Sequence, residues 1–189
     1  MASLFWGQAN SEPKRQFRFE LSFTSRNGNQ PGEIPVWSVK TATKPVASIS
    51  TITHQYIDHT FNFPGRVTWE PITVTLVDPV NPDLSYAFLD VLGASGYKYP
   101  DTESAARISL SKKAFKDSIG AVVLKQLDAD NREIERWELI NPFITNIDFG
   151  GTLSYDSDEM TELTVQITYD WAELKRSGVS NDVPPSTRR

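Results

Sequence analysis

At 189 residues the chain is long enough for one domain with a sizeable core, and 39% apolar content with ten Phe, six Tyr and five Trp excludes global disorder. With no cysteine it can form no disulfide, thiolate metal site or thiol nucleophile. A net charge of −5 argues against a surface built to grip nucleic acid, because phosphate binding rests on clustered Lys and Arg.

The opening "MASLFWGQANSEPKR" has no basic segment leading into a long apolar one, and no window approaches the roughly 20 apolar residues that span a bilayer. A soluble chain without a secretion signal and without membrane contact is expected. In "QFRFELSFTS", Phe17, Phe19, Leu21 and Phe23 alternate with Arg18, Glu20 and Ser22, the pattern of a half-buried strand. The Asn-Gly and Pro-Gly signals of "RNGNQPGE" then precede extended "IPVWSVKTAT", so the two runs read as a hairpin with a long loop. From "KPVASISTITHQYIDHTFNFPG" no helical period emerges, and this Thr-, Ser- and Ile-rich stretch reads as a long extended arm. "RVTWEPITVTLVD" is a strand with an irregularity at Pro71.

"PVNPDLSYAFLDVLGASG" predicts a helix capped by Asp83, with Leu84, Phe88, Leu89 and Leu92 on one side and Gly93 and Gly96 as its stop. "DTESAARISLSKKAFKDS" is open between a second helix and a loop. "GAVVLKQLD" and "EIERWELI" flank the turn-rich "ADNR" and predict a hairpin. Two strands close the pattern: one with Phe143, Thr145, Ile147 and Phe149 on a single face, and one in which Leu163, Val165, Ile167, Tyr169 and Trp171 alternate with polar residues. "KRSGVSNDVPPSTRR" is polar and aperiodic, and reads as a flexible tail. The sum is a mainly β, antiparallel barrel or sandwich of about six to eight strands with one flanking helix. Residues 1–15 form an N-terminal extension, 16–174 the domain and 175–189 the tail.

Chemistry is sparse. In an extended segment His54 and Asp58 share a face while His59 lies opposite, and a zinc site wants three or four ligands where no third is marked. "GASG" around Ser95 follows a helix and lacks the nucleophile-elbow pattern. The acidic run "DSDEMTELTVQI" misses a calcium loop twice, with Thr161 where the glycine belongs and Ile167 where the bidentate Glu belongs, so it reads as a solvated turn entering a strand. Lys112, Lys113 and Lys116 around Phe115 are an ordinary exposed group. No cofactor, metal or catalytic residue is marked, and the chain is read as a non-enzyme.

The order of these segments resembles the tail tube proteins of contractile-tailed bacteriophages, the T-even-like inner tube family. "FRFELSF" leading to "WSVKTATKPVASIST" is similar to that family's second strand and its turn into an extended arm. "HTFNFPGRVTWEPITVTLVDPVNPDLSYAFLDVL" is similar to its Trp-containing strand, Asn/Asp-rich turn and helix. "WELINPFITNIDFGGTLSYDSDEMTELTVQITYDWAEL" resembles its closing part, which ends in Tyr-Asp-Trp. The likeness spans residues 16–174.

The resemblance implies a structural subunit of hexameric rings, whose inner strands join into one barrel and whose rings stack into a tube inside a contractile sheath. DNA passes through the lumen without specific binding. The implied partners are further copies of the chain, the sheath protein, baseplate and tail-terminator proteins, and a tape-measure protein in the lumen. The implied location is the virion tail, assembled in the host cytoplasm. An acidic lumen would repel phosphate, with Glu162 and Asp170 as candidate lumen residues. The arm, with Ile49, Ile52, His54, Tyr56, His59, Phe61 and Phe63, is the candidate ring-to-ring contact. Two alternatives stay open: a tube initiator or terminator of the same fold, and a surface-acting hydrolase or carbohydrate-binding β domain.

Overall fold

A computed structural model describes residues 13–24 and 34–175 of the chain. The "RNGNQPGE" turn, the first twelve residues and residues 176–189 of the tail lie outside the described residues. The chain runs β1 (Phe19–Thr24), a 3-10 turn (Val36–Ser38), β2 (Val39–Ala42), β3 (Val46–Tyr56), β4 (His59–Glu70) and β5 (Ile72–Val77). It continues through α1 (Leu84–Ala94), α2 (Glu103–Ala106), α3 (Lys112–Ile119), β6 (Ala121–Leu127), β7 (Glu133–Ile140), β8 (Phe143–Asp148), β9 (Glu162–Thr168) and β10 (Trp171–Lys175).

The fold is mainly β and antiparallel, as the alternation predicted. One sheet has the order β1-β6-β7-β10, a second the order β2-β5-β9-β8, and β3-β4 form a separate two-stranded ribbon. β5 and β9 make the centre of the core because their apolar positions share both period and register. Ile72, Val74 and Leu76 lie opposite Ile167, Val165 and Leu163, and all six are fully buried. At about 1.5–3 kcal/mol for each buried aliphatic side chain, this double row dominates the hydrophobic term of the second sheet. Leu21, Val122, Leu124 and Leu139 meet it from the first sheet. Phe88 of α1 and Phe115 of α3 close the same core.

Several local readings change in the folded chain. β1 and β2 are not a hairpin: β1 pairs with β6 and β2 with β5, so each is an edge strand of a different sheet. Asp83 does cap α1, accepting from the Tyr86 N–H at 2.9 Å. The buried face of α1 is Leu84, Ala87, Phe88 and Val91, however, leaving Leu89 exposed; the helix runs through Gly93 to Ala94, and the positive-φ residue beyond it is Gly96 at 108°. The undecided stretch that follows holds two short helices, α2 and α3.

In β8 a register shift between Ile144 and Asn146 puts Phe143, Ile144 and Ile147 against the core, while Thr145 and Phe149 are exposed. The closing strand is two strands. After Tyr169 the chain leaves the second sheet and enters the first, so Ala172 is buried where Trp171 was expected. The single flanking helix and the strand count were both too low: ten strands and three helices are present within the described residues.

Candidate assembly surface

β3 and β4 form the ribbon that the sequence suggested as a continuous arm. Ten residue pairs are in register from Val46↔Glu70 to Tyr56↔His59, and the chain reverses over Ile57 and Asp58. Ile57 takes a positive φ of 53°, a conformation that costs a β-branched residue dearly and that no Gly or Asn signals here. The reversal also corrects the histidine geometry. Tyr56 lies opposite His59 and His54 opposite Phe61, so by cross-strand pairing both imidazoles stand on one face with Ile52, Tyr56, Phe61 and Phe63.

A bulge divides the ribbon. Between Ile49 and Thr51 the register slips by one residue on β4, at Gly65 and Arg66. Ser50 Oγ accepts from the Arg66 N–H at 2.9 Å and fixes the slip. Gly65 is required there, since a Cβ would fall against Ser50 Oγ and lie 2.9 Å from the Ser50 carbonyl oxygen. Below the bulge Ile49 pairs with Val67, and Trp69 packs at a tilt of 54° against Tyr169 with ring centroids 6.1 Å apart. Beyond it the strand alternation carries the apolar residues to the opposite face from Ile49 and Val67. Ile49, Ile52, Tyr56, Phe61, Phe63 and Val67 are each at least half exposed.

An isolated two-stranded ribbon is marginally stable in water, and this one presents large apolar side chains to solvent. Its root, by contrast, is anchored. Glu135 on β7 is buried, with 8% side-chain exposure, and accepts from Lys14 before β1 and, at 2.8 Å, from Lys44 in the turn between β2 and β3. Lys44 also reaches Gln126 Oε1 at 2.6 Å. Burial would raise the Glu135 pKa, but Lys14, Lys44 and the Trp137 N–H outweigh it and hold the carboxyl at about 2. Nothing in the sequence of β7 sets Glu135 apart from its neighbours Glu133 and Glu138 as the acid of this clamp.

The two candidate lumen acids occupy different settings. Glu162 opens β9 opposite Val77, beside buried Leu163, so it stands on the outward face of the second sheet and pairs with Lys40. Thr73, Thr75, Thr164, Gln166 and Thr168 share that face by alternation. Asp170 is not on this strand. It sits at the break between β9 and β10, where Lys112 donates at 2.6 and 2.8 Å and the Asn141 side chain donates at 2.8 Å. The Lys112 hydrogen bond, with that of Asn141, holds its carboxyl below the usual carboxylate range.

The acidic turn belongs to the connection between β8 and β9, residues 149–161, at the Val77 end of β5. It is exposed throughout apart from half-buried Gly150, and among its acids it displays Leu153, Tyr155 and Met160. The ribbon leaves from the Ile72 end of the same strand. The two exposed apolar features therefore lie at opposite ends of the second sheet. Among the described residues no three His, Asp or Glu side chains converge as a metal-binding group.

The same fold occurs in chains of contractile injection assemblies. A chain of the anti-feeding prophage baseplate is similar over 89% of this chain and 99% of its own, with a TM-score of 0.64 at 14% identity. A chain of the anti-feeding prophage tube-terminating cap is similar over 88% and 93%, with a TM-score of 0.61 at 12% identity. A chain of the PVC sheath-tube complex, an extracellular contractile injection system in its extended state, is similar over 93% and 99%, with a TM-score of 0.61 at 14% identity. No protein-family model matches the chain, and no curated protein matches its sequence.

Proposed function

We propose that the chain is the repeating structural subunit of a contractile phage tail tube, without enzymatic activity, and that six copies close into rings that stack around a DNA-conducting channel. The observation that carries this reading is the second sheet. Within a fold shared with chains of contractile injection assemblies, it has, among the described residues, two unpaired edges, β2 and β8, and an outward face rich in Thr. Pairing β2 of one copy with β8 of the next satisfies both edges and closes the sheets into a barrel whose polar faces line the channel. On this reading the domain of residues 16–174 sits in the virion tail, with the sheath outside it, a tape-measure protein and then DNA within, and baseplate and terminator proteins at its ends. The first and last residues are extensions to it.

A second reading, an initiator or terminator ring, is favoured by one observation: the TM-score to the cap chain, 0.61, equals that to the sheath-tube chain. Negative-stain microscopy of the purified chain separates them. Long hollow tubes are the expected result, whereas single six-fold rings at all concentrations would assign the chain to a tube end. A strictly monomeric protein, unchanged by sheath or baseplate partners, would remove both readings.

A further inference from the structure

We infer that the N-terminal segment of the chain, through Leu4, Phe5 and Trp6, seats in the groove between β1 and β2. The groove belongs to the single chain, independent of any assembly. β1 and β2 are edge strands of different sheets, and the space between the sheets opens along them. The opening measures about 840 Å³, with Phe19, Val39, Ala42, Leu124 and Trp137 as its apolar walls and Phe17, 75% exposed, beside them. That volume lies within the roughly 300–1,000 Å³ of sites that enclose a small ligand, so it admits two or three large side chains.

The described chain begins at Pro13, and Lys14, the next residue, itself lines the groove. Of the stretches outside the described residues, only 1–12 carries large apolar side chains, Met1, Leu4, Phe5 and Trp6. Residues 25–33 are polar apart from Gly and Pro. Residues 176–189 offer only Val179 and Val183, and they start from β10, at the far side of the first sheet from β1. The reach is sufficient: residues 7–13, when extended, span up to roughly 26 Å between Trp6 and Lys14, about twice the length of four-residue β2. The charges agree as well. Lys14, Lys40, Lys44 and Lys125 line the groove, but Glu135 serves both Lys14 and Lys44, so these four cations share three described carboxylates, the others being Glu162 and Glu20. Glu12, the only charged side chain of residues 1–12, brings a further acid to this cationic lining.

The absence of cysteine makes the test direct. A full-length chain with Ser3→Cys and Ala42→Cys carries one thiol beside Leu4 and one on the half-buried groove wall. Its control, Ser3→Cys with Thr145→Cys, carries the second thiol on β8, the opposite edge of the second sheet, at a more exposed position. Circular dichroism confirms that each variant folds, and a short bis-maleimide is added to dilute chain. The expected result is cross-linking within one chain at least tenfold faster for the Ala42 pair than for the Thr145 pair. Equal rates would overturn the inference, and products formed only between differently tagged chains would overturn it in favour of a second copy as the occupant. A chain with Ala42→Cys alone gives an independent readout: replacing Leu4, Phe5 and Trp6 with Ser should speed its labelling by a bulky maleimide at least fivefold. Unchanged labelling would mean that the segment does not cover the groove.

Discussion

Replacing Glu135 with Gln tests whether the ribbon root is held electrostatically. The carboxyl is lowered from 4.5 to about 2. At about 1.4 kcal/mol per pH unit that is roughly 3 kcal/mol of pH-dependent stability. Both lysines are about half exposed, so solvent screening reduces the expected figure to about 1–2 kcal/mol. Because the folded-state value is depressed, this stability is fully present above pH 4.5 and is lost as pH falls towards 2. Urea unfolding of dilute wild type and Glu135→Gln should therefore differ by about 1–2 kcal/mol at pH 7, with the difference shrinking through pH 4 to about a quarter of that at pH 2.5. An equal difference at pH 7 and pH 2.5 would refute the argument, since the loss would then come from packing and not from charge.

Gly65→Ala should leave the core folded but displace the bulge, weakening tube formation measured by sedimentation, because its Cβ has no room against the Ser50 carbonyl. Ile57→Gly should stabilise the ribbon by about 1 kcal/mol, read as slower amide exchange in β3 and β4, by relieving a left-handed β-branched residue. Phe61→Ser with Phe63→Ser should raise the critical concentration for stacking at least tenfold while leaving the urea midpoint within about 0.5 kcal/mol, since both rings are exposed. Asp170→Asn should cost about 1 kcal/mol by weakening the Lys112 contact at the sheet corner, with a smaller deficit in acid, where the wild-type carboxylate is itself protonated.

The sheet interior was legible wherever one strand stayed in one environment. β5 and β9 alternate cleanly because each has one face in the core and one outside it, and their fully buried residues are the predicted ones. Legibility failed where the chain changed partner without changing composition. "TVQITYDWAEL" keeps a period of two through Tyr169, yet the strand switches sheets at Asp170, and the pattern before the switch is uninformative about the one after it. "YIDH" hid a reversal for a related reason: its turn uses Ile57 at positive φ, the position where turn rules look for Gly or Asn. The ribbon residues were found, but as an arm, and only the reversal brings His54 and His59 to the same face.

These two failures bear on the channel. If the outward face of the second sheet lines the lumen, its repulsion of phosphate cannot rest on Asp170, which lies at the corner in the grip of Lys112 and Asn141. Glu162 does stand on that face, but its charge is offset by Lys40. What distinguishes the face is the shortage of exposed cations among its Thr and Gln side chains, since a surface with few Lys or Arg has little with which to hold a passing phosphate backbone. On that reasoning Glu162→Lys acts mainly by placing a second cation beside Lys40, and DNA ejection should slow while tubes still form. Normal ejection by that variant would show that the Thr-rich face is turned away from the DNA.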